Sequence, residues 1–184
     1  MKPYLFLLLG AATLLGCSSD SDSTTPPGPG ASLKCTSSGK NAFDTYGTAA
    51  FVAVNKAIFA KVGAEVGAHG TTNLGDSFNK VGTGNPPSTT DNGGAFEGNL
   101  AAFLVYAFGG PDHITYTDNV MYTGPQDMVE AHAGLAITSS QFDYFITNIV
   151  VPALTSSGVS QADVSSCFAP VVTDAAFKAS IVGQ

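Results

Sequence analysis

Histidine supplies this chain's clearest means of doing chemistry at neutral pH, and there are three: His69, His113 and His132. Their spacing fits no zinc pattern, and the cysteines at 17, 35 and 167 lie too far along the chain to complete one. No Cys-x-x-Cys-His run is present for covalent haem attachment. Neither a Gly-x-Ser-x-Gly elbow nor a pair of carboxylates stands out. His132 is the informative residue. Met128 precedes it by four positions, so the two share one face of a helix. The apolar helices before and after it are rich in Phe. A neutral imidazole facing an apolar slot is a typical axial ligand of haem iron. A histidine near a helix C-terminus also has a plainer and commoner role, as a favourable charge against the helix dipole. The residues alone leave both readings open.

Composition narrows the partners. Only 11% of the 184 residues are charged, against about 25% in an average soluble protein. The net charge is −7, and all seven basic residues are Lys. Nucleic acid is excluded, because a phosphate backbone needs a basic face. With no Arg, a bidentate clamp on a phosphate or carboxylate substrate is excluded as well. The 44% hydrophobic content is too high for a disordered chain.

The elements that must position His132 read as helices, because apolar residues recur at three, four and seven and rarely alternate. Phe51, Val52, Asn55, Ile58, Phe59 and Val62 make one amphipathic helix. A Gly, Asn, Ser and Thr-rich stretch follows from Gly63 to Gly94, with Asn85-Pro86-Pro87-Ser88 as a breaker and Phe78 as its main apolar anchor. Phe96, Leu100, Phe103, Leu104 and Ala107 form a second stripe that stops at Gly109-Gly110-Pro111. Residues 112–124 read as irregular. Pro125-Gln126-Asp127 opens a short helix through Met128 and His132 that stops at Gly134. Thr138 or Ser139 caps a helix whose apolar face is Phe142, Phe145, Ile146, Ile149, Val150 and Ala153, with a kink expected at Pro152. Ser160-Gln161-Ala162-Asp163 resembles a capping box before a last helix carrying Val164, Cys167, Phe168, Val171, Ala175 and Ile181, with a second kink at Pro170. The expectation is an all-α domain of five or six helices.

The amino-terminal segment reads as an address. Lys2 precedes an apolar run from Tyr4 to Leu15, too short for the roughly 20 residues that span a bilayer. Its end, Leu14-Leu15-Gly16-Cys17, resembles the lipobox of bacterial lipoproteins. That resemblance implies removal of residues 1–16, lipid on Cys17 and attachment to the bacterial cell envelope. Ser at 18 favours the outer membrane, with the domain periplasmic or surface-exposed. Residues 17–33 have the Ser, Thr, Pro and Gly content of a flexible tether, which leaves 34–184 as the folded domain. With Cys17 acylated, Cys35 and Cys167 remain. An oxidising location favours a bridge between them over two buried thiols.

The segment from Phe103 to Val164 resembles the group I truncated haemoglobins, the small bacterial-type globins. The matching residues are Gly109-Gly110-Pro111, Tyr122-Thr123-Gly124, Met128, His132, Gly134, Ile137, Thr138 and Phe142, followed by Ala153-Leu154 and Gly158-Val159. The likeness is clear over 96–184 and weaker over 40–95. It implies a two-over-two helical sandwich around non-covalent haem b, with His132 as proximal ligand to the iron. Met128, Ile137, Phe142 and Phe145 would line the haem with it, and Phe59, Phe96, Leu100 and Leu104 would face it from the other helices. The implied activity is reversible binding of a diatomic gas, O2 or NO, served by a reductase or redox partner. NO dioxygenase or peroxidase turnover would be a side activity.

Departures from the family pattern matter for the distal side. The family often carries a Phe-Tyr pair on one helix and a Gln on the next; Ile58-Phe59 and Leu100 stand at those places. Asn99, Tyr46 and Tyr106 are the other polar residues that could serve. His69 and His113 are candidate sixth ligands, which would make the protein a six-coordinate redox or sensing module. A globin-like domain that has lost haem is the third reading. With no Arg for the haem carboxylates, Lys56, Lys61 and Lys80 are the cations to consider, Lys80 first.

Overall fold

The computed structural model describes residues 25–83 and 93–184. The expected signal segment, Cys17 and the Asn85-Pro86-Pro87-Ser88 breaker lie outside them. The described chain is mostly helical, with one small hairpin. Helix α1 spans Ala42–His69, longer at both ends than the apolar spacing suggests. Asn41 caps it by accepting from the Asp44 amide at 2.7 Å. Gly47, at φ 72°, breaks the helical path one turn later, so a short first turn leads into the long rod. The polar stretch after α1 holds a further short helix, α2 (Ser77–Gly82), whose Val81 is buried.

Helix α3 (Gly93–Ala107) runs to the Gly109-Gly110-Pro111 stop. The next segment is not irregular, as its composition suggests. Strands β1 (His113–Thr115) and β2 (Met121–Thr123) pair antiparallel, Ile114 opposite Tyr122. Asn119 takes a positive φ of 61° at the turn, where a residue in the left-handed region closes a three-residue loop. A polar brace holds the hairpin to the helices. Tyr116 donates to Glu97 Oε1 at 2.8 Å, and buried Asn55 of α1 donates to the Glu97 carbonyl at 2.9 Å. Burial, aided by the neighbouring Glu97 charge, pushes the Tyr116 phenol up to about 12.

Helix α4 (Met128–His132) has Asp127 as its cap, accepting from the amides of Val129 and Glu130. Thr138 and Gln141 then form a reciprocal capping box on α5 (Ser139–Tyr144). Here the expected proline kinks take a specific form. Before Pro152 the rod widens into a π turn, π1 (Phe145–Val150), and continues as α6 (Val151–Ser156). Before Pro170, α7 (Gln161–Asp163) widens into π2 (Val164–Phe168) and continues as α8 (Ala169–Val172). Proline removes an amide and crowds the carbonyl four residues back, and a shift to longer hydrogen bonds relieves both. The last helix is α9 (Ala175–Ala179). Among the described residues no helix is long and apolar enough to cross a membrane.

The core joins the two ends of the domain. The rings of Phe51, Phe108 and Phe168 form a triangle with centroids 5.8, 4.8 and 6.0 Å apart. Beside it Cys35 and Cys167 form the expected disulfide, both residues buried. Asp163 lies at the same seam and departs from the capping-box expectation. Its amide does bond to Ser160 Oγ, but its carboxylate accepts from the Ser37 amide at 2.9 Å and from Tyr46 Oη at 2.5 Å. Burial would raise this carboxyl; the hydrogen bonds from Ser37 and Tyr46 outweigh it and hold it at about 2.

The domain begins earlier than the composition suggests. Residues 25–33, expected as tether, form a strap across the end of α3. The Gly30 amide donates to the Ala107 carbonyl at 2.7 Å, satisfying one of the carbonyls that a helix C-terminus leaves open. Thr25 donates to Asp112 Oδ2 at 2.7 Å. Gly28 is buried so closely that a Cβ there would fall on the Tyr106 carbonyl oxygen.

Three substitutions check this packing. Gly28→Ala lowers stability by about 1–3 kcal/mol in thermal unfolding, as overpacking against backbone does. Gly63→Ala, with nothing within 4 Å of its Cβ position in α1, raises it by about 0.5–1 kcal/mol. Asp163 has a depressed pKa, so its contribution is present above the unfolded value near 4 and is lost as pH falls to about 2. Asp163→Asn therefore lowers the thermal midpoint at neutral pH. It also flattens the fall between about pH 4 and pH 2.

Candidate functional site

The shell of helices encloses a largely apolar cavity of about 360 Å³, within the range of small-molecule sites. Its walls come from elements far apart in sequence. Helix α1 contributes Phe51, Val54 and Ile58, one face at three and seven residue spacing. Helix α3 contributes Phe96, Asn99, Leu100, Phe103, Leu104 and Ala107. Helix α2 adds Ser77, Phe78 and Val81; α4 adds Met128, Ala131 and His132. The remaining wall includes Ile137, Phe142, Phe145 and Ile146, closed by Phe168, Phe177 and Ile181 from the carboxyl-terminal helices. Aromatic contacts set the wall: Phe78 on Phe145 at 5.6 Å, and Phe103 stacked on Phe177 at 6.4 Å.

His132 is the only imidazole on this wall. Its Nδ1 lies 2.8 Å from the Met128 carbonyl oxygen, one helical turn back. A carbonyl can only accept, so Nδ1 carries the proton and donates, and Nε2 keeps its lone pair. Burial lowers the His132 pKa from its ordinary value, with the Met128 hydrogen bond opposing in part. Burial outweighs the hydrogen bond and favours a neutral ring with one basic nitrogen, the form that ligates a metal. A backbone acceptor on the other nitrogen is the usual device for fixing such a ligand.

Of the residues singled out from the sequence, the structure brings His132, Met128, Phe96, Leu100, Leu104, Ile137, Phe142 and Phe145 around the one cavity. Phe59 is not brought in. It is half-buried behind the wall, its ring edge-on to Phe96 at 5.2 Å, because one residue along a helix turns the side chain about 100°. Ile58 takes the inward place. The other histidines point elsewhere. His69 is exposed and pairs with Glu65 at 3.0 Å; His113 is exposed and pairs with Asp112 at 2.7 Å. Tyr46 is engaged with Asp163, and Tyr106 is not in the lining. Asn99 is in the lining. None of Lys56, Lys61 and Lys80 lines the cavity, though Lys80 lies in α2 between Phe78 and Val81, which do.

The sequence reading missed most of the far wall. Phe168, Phe177 and Ile181 carry helical spacing, but nothing in that spacing says which helix they meet. A second cluster of possible metal ligands, Cys35, Asp163 and Cys167, is spoken for, since its two sulfurs are bonded to each other.

The chemistry of this donor set fits a haem. A flat apolar macrocycle needs apolar walls, one neutral imidazole with a free nitrogen, and a polar edge for its two carboxylates. The cavity offers the first two, and Ser77, Thr123 and Gln141 are polar side chains in its lining. In comparison with known proteins, the chain matches no family model, no curated protein and no solved structure.

Nuclear magnetic resonance of the chain checks the His132 geometry. The ring is expected as the Nδ1-protonated tautomer, titrating below the ordinary value near 6.5. A ring protonated on Nε2, or titrating at or above that value, would contradict it.

Proposed function

We propose that this chain is a haem-binding protein of the truncated-globin kind, in which His132 holds the iron and the apolar cavity admits a diatomic gas. The observation that supports it is the hydrogen bond from Nδ1 of His132 to the Met128 carbonyl at 2.8 Å on the wall of an apolar cavity. Haem held by His132 would supply an iron able to bind a small gas molecule.

The chain's own residues then have separable tasks. His132 presents Nε2, and the Met128 carbonyl keeps the ring in one orientation and tautomer. Phe96, Leu100, Leu104, Met128, Ile137, Phe142 and Phe145 exclude water and grip the faces and edge of a planar ring. Ser77, Thr123 and Gln141, with Lys80 three residues after Ser77 on α2, serve the carboxylate edge in the absence of any Arg. The two-over-two sandwich of the family is part of the same reading. So is anchorage at the bacterial envelope through lipid on Cys17. The strap is already docked at Thr25, eight positions from Cys17. The anchor would therefore hold the domain within roughly 30 Å of the membrane.

A haem titration of the folded chain tests the reading. One equivalent is expected to give a sharp Soret band and a five-coordinate, high-spin ferrous form. His132→Gly abolishes that ferrous form, and added imidazole restores it. A chain that binds no haem, or a variant whose spectrum is unchanged, overturns the assignment.

A further inference from the structure

The walls that α1 and α3 contribute differ chemically from the His132 wall. From α1 come Phe51, Val54 and Ile58, and from α3 come Phe96, Leu100 and Phe103, all of them apolar. Among the described residues these two helices bring no hydroxyl and no imidazole to the lining. Their one polar side chain there is Asn99, which lies about 60° round α3 from Phe96, at the flank of the stripe. The two remaining histidines are exposed and engaged with carboxylates. Ile58 is among the largest fully buried side chains, 2% exposed, and lines the cavity from α1.

Such a chamber discriminates by charge. An ionised ligand entering between Phe51, Val54, Ile58, Phe96, Leu100 and Phe103 loses its hydration and receives no hydrogen bond or counter-charge from them in return. Dioxygen is retained in haem sites chiefly when a donor meets the negative charge it gains on binding, since hydrogen bonds to charged groups are the strong ones. A neutral ligand that gains little charge incurs neither loss.

Resting on the haem reading above, we propose that this cavity selects carbon monoxide and nitric oxide over dioxygen and over ionised ligands such as azide and fluoride, with Ile58 as the residue that sets the selection. Ile58 acts by withholding a donor, and Phe96 and Leu100 extend the same apolar surface.

The test uses the haem-loaded full chain. In the unsubstituted protein, fluoride and azide bind the ferric form weakly, dioxygen leaves the ferrous form fast, and carbon monoxide is held normally. Ile58→Tyr slows dioxygen loss and tightens fluoride binding, each by about tenfold or more, the scale of one charge-assisted hydrogen bond. It also moves the carbon monoxide stretching band to lower frequency. Leu100→Gln, a second way of supplying a donor, shifts the same readings in the same direction should Ile58→Tyr fail to fold. An unsubstituted chain that holds dioxygen or fluoride as tightly as these variants overturns the selection while leaving haem binding intact. A chain with no Soret band overturns both.

Discussion

A covalent bond between Cys35 and Cys167 ties the turn that precedes α1 to π2, the last π turn, and the cavity depends on that tie. The closed loop spans 132 residues of sequence. On the chain-entropy account a loop of that size is worth on the order of 4–5 kcal/mol. Cys167 adjoins Phe168, which completes the ring triangle with Phe51 and Phe108 and also lines the cavity. Asp163, four residues earlier, draws in Ser37 and Tyr46. Covalent, aromatic and polar restraints therefore converge on one seam, and both α1 and α3 are fixed to it. A shell of apolar walls around an interior space would otherwise tend to collapse, because interiors close-pack wherever the backbone permits.

Other features tune the shell. The strap of residues 25–33 fixes the end of α3, and the brace of Asn55, Glu97 and Tyr116 holds α1, α3 and the hairpin together from behind the wall. The two prolines and the π turns before them place Phe145 and Ile146 of π1, and Phe168 of π2, in the lining. Widened turns recur at functional sites in many proteins, since they redirect side chains without breaking the helix. Opposite these, His132 stands on a helix of only five residues, oriented by its own backbone. The restraint on the imidazole is thus local, while the space it faces is global.

Much of this could be read from the residues. The stripes on α1, α3 and the rod beginning at Ser139 are long and periodic, and the caps at Thr138, Ser160 and Asp127 are chemically explicit. Other parts carry weak or misleading signals. Strands of three residues are too short to show alternation, so the hairpin looked like loop. The strap has a linker's composition, but two of its glycines are there for close backbone approach to α3. Helix α2 hides in polar surroundings. The choice between Ile58 and Phe59 turns on how α1 is rotated against its neighbours, a tertiary fact that apolar spacing leaves open. The partner of each carboxyl-terminal aromatic is a tertiary fact with no local signature.

Resonance Raman spectroscopy of the ferrous, haem-loaded chain, grown with and without 15N-histidine, addresses the central claim most directly. The iron–nitrogen stretching band is expected to shift on labelling and to be lost in His132→Gly. A haem-loaded chain whose band does not move with the label, or persists without His132, would contradict it.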